Sequence, residues 1–397
     1  MGSTRKLRLA AMAVAVTLTA TVVCVPMASA ATTAAPASAP VTAKSAGAVA
    51  NAADGEIVSA VAPVLQGKGS KARTYSQQEV RRMDAEGGDP AVLDYWTPER
   101  MAAATSLDEP GDSKLVSKMA QDAARSSTVG GSVGTVAALG ATAAGEAGTV
   151  VSEPVAPAGA APKASGGVEA QGIKRFPITT GKLFIGGYQG DRYCSASAVN
   201  TRSKRVVITA GHCVHSGRGG SWLNNVVFVP KYNGYAADPT PYGTFQARTL
   251  HTFKAWINYG GTTRGWGRDV GVISTYANEN NARVVKAVGG NGLMISKSFK
   301  FTAAIFGYPS NRDSGEVMWV CQGMVGKTQA VPNTSKIVGC NFGGGSSGGP
   351  WVWKYDGSKR LGYTRGVTSF GPSNNKFIGS PHFDVKVRSL VIAANNA

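Results

Sequence analysis

The sequence predicts an all-β protein whose fold resides in its second half. From residue 171 onward, short runs of β-branched and aromatic residues recur between Gly, Pro and Asn turns, as in "KLFIGGY", "RVVITA", "NVVFVP", "DVGVIST", "VMWVCQGMV" and "PWVWKY". Only the end, "DVKVRSLVIAAN", has a helical pattern. The third observation is a change of composition near residue 170, before which Ala, Gly, Ser and Pro dominate. The stretch 171–397 is long enough for one large all-β domain or two barrels packed side by side.

Taken in order, residues 1–30 read as a secretory signal peptide. Arg5, Lys6 and Arg8 form a basic start, Leu9 to Val25 an apolar run, and Ala28-Ser29-Ala30 a small-residue cleavage site. The run is short of the ~20 apolar residues that a membrane span needs, and Cys24 lacks the small residues that a lipoprotein signal carries before it. Residues 31–170 read as a pro-segment and linker. Within them "SQQEVRRMDAEGGDPAVLDYWTPERMAAATSLD", 76–108, offers short helical patterns with Ser76 and Thr97 as N-caps. Residues 128–166 are low in complexity and read as linker. The run 129–151 is apolar only through Ala and Gly and is interrupted by Glu146, so no span is expected there. The mature protein is expected to be soluble and extracellular, with no membrane attachment.

Charge divides at the same boundary. Residues 171–397 carry 27 Lys and Arg against 8 Asp and Glu, whereas residues 31–170 carry 11 against 15. An acidic leader ahead of a basic domain suits a removable pro-segment docked partly by long-range attraction. Four cysteines remain after the signal peptide, Cys194, Cys213, Cys321 and Cys340, and an even count in a secreted chain suggests disulfides. Three pairings are possible and the spacing does not choose among them. The local pairing, Cys194 with Cys213 and Cys321 with Cys340, would close two loops of similar length, each gaining ~3 kcal/mol. A zinc site near Cys213, His212 and His215 is the rival reading, but no C-x-x-C knuckle supports it.

The chemistry concentrates at "NFGGGSSGGPWVW", 341–353. Its middle has the composition of a flexible linker, yet it contains G-x-S-x-G twice, around Ser346 and Ser347. An apolar strand follows directly, which argues for a tight structural turn. A nucleophilic serine needs a base and a group that orients the base. Of the four histidines, His212 sits in "VVITAGHC", directly after an apolar strand and beside a cysteine that can staple the turn. His215 and His251 read as solvated, and His382 as structural. Asp269 opens the apolar run "DVGVIST", where a carboxylate is costly unless hydrogen-bonded; the other seven carboxylates of this half read as solvated.

Chain order discriminates between serine-hydrolase plans. Ser346, Asp356 and His382 satisfy the α/β-hydrolase order, and Asp191 would serve the subtilisin order, but both plans need a helix after the serine. The order His212, Asp269, Ser347 belongs to the double β-barrel plan.

"TAGHC" at 209–213, "DVGVI" at 269–273, "GSSGGP" at 345–350 and "TSFG" at 368–371 resemble the chymotrypsin-like (trypsin-type) serine peptidases. The chain looks most like their secreted bacterial branch, made with a signal peptide and a pro-segment, and the likeness covers residues 175–395. It implies two packed six-stranded antiparallel barrels with a C-terminal helix. It implies His212, Asp269 and Ser347 as the catalytic triad, with the amides of Gly345 and Ser347 as the oxyanion hole. It also implies the Cys194–Cys213 bridge, and Ser369, Phe370 and Gly371 as the strand that pairs with the substrate backbone. No cofactor or metal is implied.

Two departures stand out. Most members carry aspartate before the nucleophile, where this chain has Ser346, so activation must differ. The specificity pocket has Asn341 where trypsin-like members have aspartate, and Thr368 where glutamate-specific members have histidine. With Phe342 nearby, preference leans to an uncharged residue.

The sequence therefore predicts a secreted monomeric serine endopeptidase acting on protein or peptide substrates. It is expected as a precursor whose pro-segment binds it before a cut between about 160 and 176, Lys174-Arg175 being one option. The alternative is a non-catalytic basic protein on a peptidase scaffold, adhering to anionic cell wall or nucleic acid. No aromatic–basic groove pattern supports that alternative.

Overall fold

Two curved β-sheets form the body of the protein, and a leader segment is laid across both. The computed structural model describes residues 54–65, 73, 75–108, 131–133, 148–158, 176–187 and 190–397, all within the unit Ala46–Ala397. The predicted signal peptide and Lys174-Arg175 lie outside the described residues.

Among the described residues, four short strands precede the first barrel: β1 (Ile57–Val61), β2 (Thr105–Ser106), β3 (Gly131–Val133) and β4 (Gly148–Ser152). The first barrel follows, built from β5 (Thr180–Gly186), β6 (Arg192–Ala198), β7 (Val206–Thr209), β8 (Asn224–Pro230), β9 (Phe245–Phe253) and β10 (Gly271–Thr275). Pairing runs β9-β10-β7-β6-β5-β8, and β8 returns to β9, so six antiparallel strands close on themselves. Leu183, Ile185, Ala196, Val207, Phe228 and Phe245 fill the interior.

The second sheet comprises β11 (Gly292–Ser296), β12 (Phe301–Gly307), β13 (Trp319–Lys327), β14 (Thr334–Val338), β15 (Pro350–Asp356), β16 (Leu361–Val367) and β17 (Phe377–Pro381). Its order is β17-β14-β13-β12-β15-β16-β11. Phe301, Ile305, Val325, Ile337, Trp351 and Ile378 make its core. Where a second closed barrel is expected, the sheet curls, and β16 and β17 are joined through a side chain. Ser380 Oγ accepts the Val367 amide at 3.0 Å, and a Cβ at Gly366 would lie only 2.5 Å from that oxygen. The Ser380 hydroxyl thus takes the place of a ladder bond. Just beyond β16, Gly379 and Phe370 exchange backbone bonds as an isolated bridge.

Both predicted helical regions form. Gln77–Glu86 starts at a capping box in which the Glu79 amide donates to Ser76 Oγ at 3.3 Å and the Ser76 amide to Glu79 Oε2 at 2.8 Å. Thr97 caps Pro98–Ala103. At the C-terminus, Asp384 caps Val385–Asn396, accepting from the Lys386 and Val387 amides. The helix turns Val387, Leu390, Val391 and Ala394 onto Ile208, Phe253 and Val272 of the first barrel and Leu293 and Val367 of the second sheet. That spacing is one apolar stripe. Among the described residues no helix is long and apolar enough to cross a membrane.

The leader is more structured than its composition suggests. β1 adds to β9 over five residues, Ile57 opposite Phe253 through Val61 opposite Thr249. β2 pairs parallel with β6, β3 pairs with β13, and β4 adds to β11. Residues 131–133 and 148–152 are therefore strands inside the stretch expected as linker. Open edges of β13 and β11 supply backbone partners that even a Gly-rich segment can use.

Candidate active site

The two sheets each present one tight turn to the other, and the predicted residues sit on those turns. His212 lies in the 3-10 turn Gly211–Cys213 that follows β7. Its backbone amide donates to Asp269 Oδ1 at 2.7 Å, and its Nδ1 lies 2.8 Å from Asp269 Oδ2. Asp269 is fully buried and takes a third bond, from Ser369 Oγ, at 2.6 Å. The carboxylate predicted to need partners has them, and together they fix the imidazole plane. The rings of Trp256 and Trp266 stand 5.9 and 6.4 Å from the imidazole.

Ser347 lies on the turn between β14 and β15. Gly345 and Gly348 flank the two serines at φ +83° and +81°, a region open to glycine at little cost. Space forbids a side chain there as well. A Cβ at Gly345 would lie 2.3 Å from the Tyr193 ring, and one at Gly348 would lie 2.0 Å from Thr209 Oγ1. Buried Ser195 ties the turn to the first barrel: its Oγ donates to Gly345 O at 2.8 Å and accepts from the Tyr308 amide at 2.9 Å. The Ser195 amide donates to Ser347 O at 2.7 Å. Ser346 points inward, its Oγ donating to Gly343 O at 2.7 Å. The paired serines thus differ in partner: Ser346 closes the turn, whereas Ser347 Oγ donates to Asp108 Oδ1 at 2.7 Å.

One residue was not foreseen. Asp108, at the end of the described stretch 75–108, brings its carboxylate between the two turns. Asp108 Oδ1 accepts from Ser347 Oγ at 2.7 Å and lies 3.0 Å from His212 Nε2, while Oδ2 accepts from the Gly345 amide at 2.5 Å. Both nitrogens of His212 therefore face carboxylate oxygens, so both donate and the ring is an imidazolium. Burial works to lower its pKa, but Asp269 and Asp108 outweigh it and push the value up to about 10. Burial works to raise the Asp108 carboxyl, but its bonds and charge contact with His212 and its bonds from Ser347 and Gly345 hold it below the ordinary value.

The other predicted residues fall nearby, with altered surroundings. Asn341 accepts from Asn311 Nδ2 at its carbonyl and from Arg312 Nη2 at its side chain, both at 2.9 Å. Phe342 is packed into the core of the second sheet beside Cys340, so its ring is a core side chain. Thr368 is buried, its Oγ1 accepting from Trp351 Nε1 at 3.0 Å and its carbonyl accepting the Gly348 amide. The Phe370 ring lies 5.7 Å from Trp266, and Gly371 follows it.

Cys194 is bonded to Cys213 and Cys321 to Cys340. The sulfurs of Cys194 and Cys213 gather near His212, but they are bonded to each other and so are not metal-binding thiolates.

His215 and His251, expected to be solvated, are both buried. The first packs edge-on to Trp222 and accepts the Gly217 amide at Nδ1. The second stands on β9 opposite Ser59 of β1, with Ser59 Oγ 2.6 Å from Nδ1 and Thr249 Oγ1 2.8 Å from Nε2. Burial drives its pKa down to about 4. His382 is structural as expected, its Nε2 donating to Ser296 O. Glu316 and Asp384, also expected to be solvated, are instead paired with Lys182 and Arg268.

No protein-family model matches the chain, and no curated protein does. Solved structures do. The thermostable serine protease AL20 from an extremophilic microorganism is 27% identical, with a TM-score of 0.50, over 55% of this chain and 98% of that one. Protease Anisep from Arthrobacter nicotinovorans is 28% identical, again at 0.50, over 56% of this chain and 98% of its own. The fold is that of the chymotrypsin-like serine proteases. Within that chymotrypsin-like fold the closed first barrel carries His212 and Asp269, and the second sheet carries Ser347 and Gly345.

Proposed function

We propose that the chain is the precursor of a secreted serine endopeptidase that hydrolyses peptide bonds in proteins or peptides. The observation that carries this reading is the convergence of His212 Nε2, Ser347 Oγ and the Gly345 amide on one carboxylate group, at 3.0, 2.7 and 2.5 Å. A planar carbon with two oxygens, held between a nucleophile, a base and a backbone donor, marks where a reacting carbonyl belongs.

In the reaction, Ser347 Oγ attacks the scissile carbonyl while His212 Nε2 takes its proton. Asp269, bonded at Nδ1, holds the tautomer that leaves Nε2 free to act as base. Negative charge developing on the carbonyl oxygen meets the amides of Gly345 and Ser347, each such donor contributing ~3–4 kcal/mol. The intermediate collapses as His212 passes its proton to the leaving amine, giving an ester on Ser347. Water, activated by the same imidazole, then hydrolyses that ester.

On this reading residues 1–30 are the signal peptide, 31–170 the pro-segment and 171–397 the peptidase domain. The test is covalent labelling by a serine-directed phosphonate after a metalloprotease has digested the leader from the folded protein and been stopped with chelator. Label on a peptide containing Ser347 is expected. A peptidase-domain band with no label would overturn the assignment.

A further inference from the structure

We propose that Asp108 is a built-in inhibitor residue: its side-chain carboxylate occupies the place of the reacting carbonyl and keeps the whole chain latent. This inference rests on the peptidase reading above.

The nucleophile, the base and one of the two oxyanion donors are all engaged by this one carboxylate. Ser347 Oγ and the Gly345 amide donate to it, and His212 Nε2 faces it at 3.0 Å. A side-chain carboxylate has no leaving amine, so attack by Ser347 leads nowhere. The imidazolium formed against it has no lone pair with which to accept a proton.

The approach of the chain is built for this placement. Thr105 and Leu107 donate their amides to Asp191 O and Tyr193 O along β6, at 3.0 and 3.1 Å. The Asp108 amide turns back onto Ser106 Oγ at 3.2 Å. On the receiving side, a Cβ at Gly344 would lie 2.4 Å from Ser106 Oγ and 3.1 Å from Asp108 Cβ. The glycine run therefore admits the leader as well as forming the turn.

Anchors upstream hold the leader without the covalent connection. Tyr95 donates to Asp191 at 2.6 Å, Arg100 Nε donates to the other oxygen at 2.9 Å, and Trp96 Nε1 donates to Asn225 O at 2.7 Å. Val80, Met83, Val92 and Met101 are buried with Phe184 of the first barrel and Phe306 of the second sheet. Besides Asp108 with His212, four salt bridges among the described residues pair leader acids with cations of the later chain: Asp54–Arg264, Glu56–Lys254, and Asp84 with both Arg248 and Arg205. Surface pairs contribute little, whereas each large buried apolar side chain contributes more, so the apolar cluster dominates docking. A cut between 160 and 176 touches none of these contacts. Activation must therefore displace or destroy the segment through Asp108, beyond cutting the connection.

The test compares phosphonate labelling of the intact band for the wild-type chain, Asp108→Ala and the isosteric Asp108→Asn, beside protein whose leader has been digested. The phosphonate oxygen must enter the position that the carboxylate fills. Expected is an intact wild-type band labelled at least tenfold more slowly than Asp108→Ala, with Asp108→Asn between them. An intact wild-type band labelled as fast as the digested protein overturns the lock and leaves the peptidase reading standing. Digested protein that labels while all three intact chains stay equally slow shows that the leader covers the site by other residues, and also overturns it. If the digested protein does not label either, the peptidase reading fails, and the lock with it.

Discussion

Ser369 Oγ donates to Asp269 Oδ2 at 2.6 Å, the same oxygen that His212 Nδ1 approaches at 2.8 Å. One carboxylate oxygen is thus shared between the proposed base and the strand expected to bind substrate. Asp269→Asn replaces an acceptor with a donor on one side and favours the wrong imidazole tautomer. We expect kcat for a peptide substrate to fall by ~10⁴-fold with KM little changed, measured on leader-digested protein. A fall of less than tenfold would refute the orienting role.

The two serines are separable by what each touches. Ser347→Ala should abolish phosphonate labelling of leader-digested protein. Ser346→Ala should retain it and lower stability by about 1 kcal/mol, from loss of the bond to Gly343 O. The reverse labelling pattern would reassign the nucleophile.

The pH dependence of labelling should differ between locked and unlocked chains. In the wild-type chain His212 faces Asp269 and Asp108, which hold it protonated up to about 10. The nearby sulfurs of Cys194 and Cys213 are bonded to each other and do not titrate. With Asp108 removed, one of the two stabilising carboxylates is gone. Labelling of Asp108→Ala should then rise with pH near the ordinary histidine value, about 6.5. A rate flat from pH 5 to 9 would contradict His212 as the base.

The same pair sets a window of stability. The raised His212 contributes fully below about 6.5 and its contribution is lost as pH rises through about 10. The depressed Asp108 contributes above its ordinary value of about 3.8 and its contribution is lost as pH falls through its lower folded value. The melting temperature of the wild-type chain should therefore exceed that of Asp108→Asn most between about pH 4 and 6.5. A difference that grew with pH up to 10 would contradict the ion pair.

Lys182 of β5 is fully buried, its Nζ 2.9 Å from Glu316 Oε1 and 4.2 Å from the Tyr193 ring centroid. Burial pulls its pKa down to about 8 despite the carboxylate. Because the pair joins the first barrel to the β12–β13 loop, Lys182→Met should cost about 3 kcal/mol by leaving Glu316 without its cation. Adding Glu316→Gln should restore much of that loss. Urea unfolding of the three chains checks both, and a double variant no more stable than the single would argue against the pair.

Much of the fold is legible because strand signals are local. β-branched runs such as "RVVITA" and "DVGVIST" become β7 and β10, and the Ser76 capping box is written in four consecutive residues. The candidate site was legible where its residues lie in short motifs: "TAGHC" places His212 on a turn, and "GGGSSGG" places Ser347 between two left-handed glycines. His251 was misread because its own neighbourhood is polar. In the fold it lies between β1 and β10, opposite Ser59, which is 192 positions away in the chain.

By itself the sequence determined the all-β texture, the acidic leader ahead of a basic domain, and the chain order His212, Asp269, Ser347. Local pattern carries such information, since strand period, turn glycines and caps act over a few residues. Tertiary structure alone decided that the second sheet curls through Ser380, that the leader adds strands to both sheets, and that Asp108 meets Ser347 across 239 positions. No local period records a contact of that separation. It exists because the apolar faces of two sheets and a leader are buried together, and that burial sets where a single carboxylate comes to rest.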